Sequence, residues 1–170
     1  YVTWAQLQAD TMKLGLVAAT PGVGCQTSAL ANCTSGFGMG PYNNSMGFHE
    51  RSVMGVEWAL PDGSVLKLGS LGSGDGWFCG DGPGPSLRGV LRGEYGSLGG
   101  LGVVTKVAIR LFDWPGPGEM PIEGAFPKLR LSENLLNSMK LFLITFKDRH
   151  QRNEATRLIG EAEICYQMYA

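Results

Sequence analysis

Hydrophobic and polar residues are most clearly ordered between Val53 and Leu68. Val53-Met54-Gly55-Val56-Glu57-Trp58-Ala59-Leu60 and Ser64-Val65-Leu66-Lys67-Leu68 flank Pro61-Asp62-Gly63. Two apolar runs about such a turn predict a β-hairpin. Upstream, Thr3 precedes Trp4, Leu7, Met12 and Leu14, with Gly15 just beyond; a hydroxyl cap, an apolar stripe and a glycine stop predict a short helix. Leu16-Val17-Ala18-Ala19 reads as a strand, Gln26–Asn32 as a helical turn and Ser86–Arg92 as a short helix capped by Ser86. Val103–Leu111 alternates as a strand. Trp114-Pro115-Gly116-Pro117-Gly118 is a break in composition and sets a boundary, giving units 1–114 and 115–170. Beyond it, Ser132 begins a turn containing Leu135 and Leu136, Met139–Phe146 reads as a strand, and Asn153 to about Tyr169 as a helix bearing Ala155, Leu158, Ile159, Ala162 and Cys165. The fold class expected is α+β. A chain that opens on a helix N-terminus reads as the middle of a longer one.

Composition narrows the function classes. The 170 residues are 44% hydrophobic, enough for a core, and a net charge of -1 with both signs intermixed gives no footprint for nucleic acid or an anionic membrane. The longest apolar run, near Leu141–Phe146, is far too short to cross a bilayer. Cys25, Cys33, Cys79 and Cys165 are scattered without C-x-x-C or histidine spacing, so buried free thiols and a cytoplasmic location are expected. The 26 glycines and 9 prolines follow no fixed period, which excludes collagen and low-complexity readings.

The densest chemical signal is Gly93-Glu94-Tyr95-Gly96-Ser97-Leu98-Gly99-Gly100-Leu101-Gly102, which runs straight into the strand at Val103. Glycines ahead of a strand let a ligand approach bare backbone, and they also build ordinary turns. Two further loops rich in glycine and hydroxyls, Thr20–Gly24 and Cys33–Tyr42, add to the case for a binding site. The aromatics Trp77 and Phe78 in Ser70–Gly84 could cover a ligand or pack on the domain. The run is not a Rossmann fingerprint, since Gly100-Leu101-Gly102 lacks the third glycine and leads into a strand. His49-Glu50-Arg51 has residue types for proton transfer but no second histidine or cysteine nearby, and reads as a surface loop pair. His150 reads as part of a solvated cluster at a helix entry.

Pro83–Gly93 followed by Gly96–Lys106 resembles the closing segment of the FAD-binding domain in the vanillyl-alcohol oxidase and p-cresol methylhydroxylase superfamily, in particular its glycolate oxidase and D-lactate dehydrogenase branch. The hairpin Val56–Gly63 is similar to the strand pair that those proteins carry just upstream. Thr20-Pro21-Gly22, the loop Asn32–Gly36 and Tyr42 resemble a second flavin-contacting region, and Met139 the entry to a cap domain. The resemblance implies a PCMH-type FAD-binding subdomain, a mixed or antiparallel sheet with flanking helices, followed by the start of an α+β cap. It further implies FAD held largely by main-chain amides, with Pro21, Gly22, Thr27, Ser28, Asn32, Thr34, Ser35, Gly36 and Tyr42 on one side and Gly100, Gly102, Val103 and Val104 on the other. The activity implied is oxidation of a 2-hydroxy acid or related alcohol by hydride transfer to flavin, with electrons passed to an acceptor partner or other subunit. Alternatives are a non-catalytic piece completed by another chain, or an alkyldihydroxyacetonephosphate synthase-like flavoenzyme. The family's first phosphate-binding loop has no counterpart here, Tyr95 and Gly99-Gly100 depart from the commoner Ser-Glu-Gly-Thr-Leu-Gly pattern, and no catalytic residue transfers.

Overall fold

The computed structural model describes residues 1–22, 24–36, 38–69, 87–93, 96–133, 135 and 139–169. The loop 70–84, the cap at Ser86, and Cys79, Tyr95 and Leu136 lie outside them.

Helix α1 (Trp4–Met12) forms as its pattern predicts: the Thr3 hydroxyl accepts the Gln6 N–H at 3.2 Å, and Trp4 and Met12 turn inward. Such a cap contributes about 1 kcal/mol. Gly15, at φ +71, carries the chain out of the helix and into β1 (Leu16–Ala18). Helix α2 (Ala29–Ser35) begins later than the Gln26–Asn32 turn read from sequence and runs farther, because the Ser28 hydroxyl caps Ala31 N–H and so fixes the start. A one-turn helix α3 (Asn43–Met46) and a 3-10 turn (His49–Ser52) lead into the hairpin.

The hairpin forms where expected. Strand β2 (Val53–Ala59) pairs antiparallel with β3 (Val65–Leu68) on one side and β4 (Val103–Ile109) on the other, giving the order β3-β2-β4. Trp58 lies opposite Leu66 and Val104, and Val56 opposite Leu68 and Val107. The strand expected over Val103–Leu111 divides at Arg110, whose N–H donates to Ser52 O. The chain then leaves for β5 (Leu111–Asp113), which pairs with β1. Ile122–Glu123 (β6) and Arg130–Leu131 (β7) make a small ribbon. The architecture is α+β with small antiparallel sheets.

Two clusters are buried. Trp4, Ala18, Cys33, Val53, Val56, Trp58 and Leu91 close the space between α1, α2 and the three-stranded sheet. Burying side chains of this kind stabilises by about 1.5–3 kcal/mol each. Met12, Val17, Tyr42 and Trp114 form the second, against which Tyr166 packs. Residues beyond Trp114 thus return to the first 114: Tyr166 Oη donates to Asp113 O at 2.7 Å, and Met168 N–H to Pro41 O.

Two expectations fail in the C-terminal part. Met139–Phe146 is not a strand; no ladder partner among the described residues reaches it, and Leu141, Phe142 and Leu143 are 94%, 77% and 91% exposed. The last helix, α4 (Arg149–Ala162), starts before Asn153 because Asp148 caps Gln151 N–H, and it ends well short of Tyr169. None of its residues is buried. No helix among the described residues is long and apolar enough to cross a membrane.

Candidate functional site

The glycine run packs onto the C-terminal end of α2. A side chain at Gly93 would overlap Gly36 O, and one at Gly99 would come within 2.7 Å of Ser35 Cβ. Gly36 and the run are therefore neighbours. The run also holds unfavourable backbone: Leu98 and Leu101 lie in the left-handed region at φ 54 and 64, which costs about 1–2 kcal/mol for a residue with a Cβ. Both leucines, with Val103 after them, are 61–66% exposed. An apolar rim held at a conformational cost is a common mark of a ligand surface.

The residues expected to hold a nucleotide fall into separate groups. Ser35 and Gly36 face the run, Asn32 lies one turn back in α2 with its side chain on Trp4, and Gly102, Val103 and Val104 lie at the run's exit into β4. Pro21 and Gly22 pack instead against Met39 and Gly40, with Gly22 N–H donating to Met39 O. Thr27 and Ser28 sit at the opposite end of α2, about 10 Å away for seven residues at 1.5 Å each. Tyr42 belongs to the second cluster, edge-on to Tyr166 at 5.8 Å between centroids. Burial raises its phenol above the ordinary range.

Most of their polar groups are already engaged. The amides of Gly22, Gly36 and Gly100 donate to Met39, Asn32 and Ser97 carbonyls. The hydroxyls of Thr27, Thr34 and Ser35 donate to Gly24, Leu30 and Ala31 carbonyls at 2.6, 2.9 and 2.5 Å. Ser28 Oγ accepts the Ala31 N–H, and Asn32 Oδ1 accepts the Trp4 indole N–H. Gly102 is required by the protein itself: at φ +145 a Cβ there would overlap the Trp58 indole nitrogen and Ala59 O. The glycine and hydroxyl signals thus describe caps, turns and close packing before they describe a cradle.

The unengaged polar groups are elsewhere. His49 and Glu50 are not a surface pair but lie 1% exposed each, because the 3-10 turn directs them under α2. The imidazole stands edge-on to Trp4 at 5.7 Å, with Nδ1 3.4 Å from Gly38 O and Nε2 3.3 Å from Asn32 O. A neutral ring can donate to one of these carbonyls and a charged ring to both. Gly38 lies so close to the ring that no Cβ fits. Glu50 Oε2 is 3.4 Å from His49 Nδ1, yet neither carboxylate oxygen makes a hydrogen bond among the described residues. Glu50 also borders the run, its Cβ lying 3.4 Å from where a Gly93 Cβ would be. Trp58 Nε1 and Ser97 Oγ are likewise buried without a partner. Beside Glu50, Cys33 is fully enclosed, and burial first and the carboxylate second push its thiol up to about 12.

Buried polar groups are normally satisfied, so three side chains around one loop without a hydrogen bond among the described residues set the run apart, although each of these atoms is closed to water as the chain is folded. A flavin carries groups of the matching kind, N–H and hydroxyl donors for the carboxylate and carbonyl oxygens for the indole and the serine, and would reach them only if the run moved aside. From sequence Glu50 reads as part of a surface pair and Trp58 as a hairpin residue; the usable signal is an acidic residue flanked by apolar strand and glycine loop, where burial without a hydrogen bond is costly. Two open hollows, of about 650 Å³ at Ile144–Arg152 and about 380 Å³ at Arg152–Arg157, lie away from the run. Of the cysteines described, all are free, but Cys25 is exposed and only Cys33 is fully buried. No grouping of histidine, cysteine and carboxylate side chains suited to a metal ion occurs among the described residues. The chain matches no protein-family model and no curated protein.

Proposed function

We propose that this chain is a flavin-binding portion of an FAD-dependent oxidoreductase of the PCMH type, with the isoalloxazine end lying against the glycine run. The supporting observation is the set of unpaired buried groups, Glu50, Trp58 Nε1 and Ser97 Oγ, bordering a run whose exposed rim is Leu98, Leu101 and Val103. FAD, when bound, supplies the redox chemistry that these side chains lack. The chain's own contributions are positional. The apolar rim excludes water from one face of the ring, Trp58 and Ser97 donate hydrogen bonds to carbonyl oxygens, and Glu50 accepts from N–H or hydroxyl groups. The substrate class is a small 2-hydroxy acid or related alcohol and the electrons go to an acceptor partner, as the resemblance implies; the location is cytoplasmic, a reading that rests on the scattered cysteines.

The engaged amides of Gly22, Gly36 and Gly100 and the engaged hydroxyls of Thr27, Thr34 and Ser35 favour a particular form of this reading. The chain offers a wall for the ring, while diphosphate donors come from another chain or segment. Titration with riboflavin, FMN, FAD and ADP separates the parts, with ligand fluorescence anisotropy following the flavins and intrinsic tryptophan fluorescence following ADP. All three flavins should bind saturably and within about tenfold of one another, ADP should not bind, and Ser97→Ala should weaken flavin about tenfold, or ~1.4 kcal/mol. Binding of ADP with no binding of riboflavin would overturn the assignment.

A further inference from the structure

Lys140–Asp148 reads Lys-Leu-Phe-Leu-Ile-Thr-Phe-Lys-Asp. Its apolar side chains face water: Leu141, Phe142 and Leu143 are 77–94% exposed and Ile144 is 55%. The residue types are those of a strand buried on both faces, and the segment has no ladder partner among the described residues. Unpaired N–H and C=O groups along such a segment are a template for a strand from another chain.

We propose that this segment is the docking surface for a second copy of the chain, the two segments pairing antiparallel about a two-fold axis at Ile144. Register decides between this pairing and its neighbours. With Ile144 opposite itself, Lys140 meets Asp148 and Phe142 meets Phe146, each twice because the axis repeats the pair. These residues alternate along the strand and so share one face. Opposite charges and aromatic pairs placed directly across a ladder are favourable. A slip of one residue instead puts Lys140 opposite Lys147 and Phe142 opposite Thr145, replacing both attractions and setting like charges together. The segment is charge-complementary to itself in one register and self-repelling in the next.

The structure leaves the ends of that pairing accessible. Lys140, Lys147 and Asp148 are exposed; the chain bends at Lys147 and Asp148 as α4 begins and Asp148 O accepts the Arg152 N–H, so the Lys140–Asp148 end of the pairing is made by side chains rather than by ladder bonds. The Asp148 helix cap uses Oδ1. Pairing would cover Phe142 and Ile144, the side chains that the fold of one copy leaves in water. The face opposite carries Leu141 and Leu143, and α4 follows directly with Leu158 half exposed.

Sedimentation velocity of the 170-residue chain over a wide concentration range tests this. A monomer–dimer equilibrium is expected. Lys140→Glu, which sets two carboxylates opposite each other, should raise the dissociation constant about tenfold or more. Adding Asp148→Lys should bring it back to within about threefold. Because Asp148 also caps α4, circular dichroism of each variant records helix content, and Phe142→Asp provides a variant away from the cap that should give monomer alone. A monomer at every concentration overturns the proposal. So does a dimer indifferent to Lys140→Glu or Phe142→Asp, or a larger aggregate that the charge exchange does not alter.

Discussion

Trp4, Val53, Val56 and Leu91 are 0–1% exposed, whereas Leu141, Phe142 and Leu143 are 77–94% exposed, although both stretches are strongly apolar. The difference lies in partners. Strand β2 has β3 and β4 on its two edges and α1 and α2 over one face. Residues 140–146 have no strand partner among the described residues and lie in water, and no residue of α4 beside them is buried. Hydrophobicity sets the gain available on burial, but backbone groups must be paired before a strand can collect it.

Unfolding measurements test this contrast, and the greatest loss is expected at Trp4. Trp4→Ala removes a buried indole, its bond to Asn32 and its edge contact with His49, and should cost about 3–5 kcal/mol. Phe142→Ser, at 77% exposure, should leave the midpoint of thermal unfolding unchanged at low protein concentration. Equal losses would mean that the C-terminal segment is packed in solution.

Glu50→Gln should act in two opposite directions. Replacing a buried carboxyl group whose oxygens make no hydrogen bond among the described residues should stabilise the ligand-free protein by about 1–2 kcal/mol, a rise of a few degrees in the unfolding midpoint, and should weaken flavin binding. A fall in stability would instead assign the carboxylate to its contact with His49, 3.4 Å away.

Alkaline pH gives a smaller effect. The Cys33 thiol titrates near 9 when the chain is unfolded and at about 12 when folded. A group raised by folding contributes fully below its unfolded value and loses that contribution as pH climbs towards the folded one. Stability should therefore fall from pH 9 upward, by about 1 kcal/mol per pH unit, and Cys33→Ala should flatten that slope. Iodoacetamide should modify exposed Cys25 in the native protein and Cys33 only on unfolding. The smallest change is expected on α4, where Arg157 pairs with Glu154 at 2.6 Å and with Glu161. Arg157→Ala should slightly reduce helix content by circular dichroism, and high salt should erase the difference.

The N-terminal fold was largely legible because its signals are local. Thr3 before Trp4, and Pro61-Asp62-Gly63 between alternating runs, specify their elements without distant help. Met139–Phe146 was misread because strand-forming residues do not supply a neighbouring strand. The site was legible only in outline. Gly93, Gly99 and Gly36 do meet, but Ser28, Thr34 and Ser35 have the same composition whether they cap a helix or hold a phosphate. Here they bond to their own backbone. Burial of His49 and Glu50 depends on how the 3-10 turn meets α2, a relation between segments that spacing does not encode. Gly102 illustrates the same ambiguity: replacing it by leucine would collide with Trp58 and so would destabilise the protein with or without a ligand.

The most direct test of a flavin against the glycine run is the indole N–H spectrum of ¹⁵N-labelled protein titrated with riboflavin. Trp4 and Trp114 indoles already donate to Asn32 Oδ1 and Pro117 O, whereas Trp58 Nε1 has no hydrogen-bond partner among the described residues. The Trp58 resonance should move downfield and saturate, while those of Trp4 and Trp114 stay within a small fraction of that shift. A Trp58 signal that does not respond as riboflavin reaches its solubility limit would contradict the assignment.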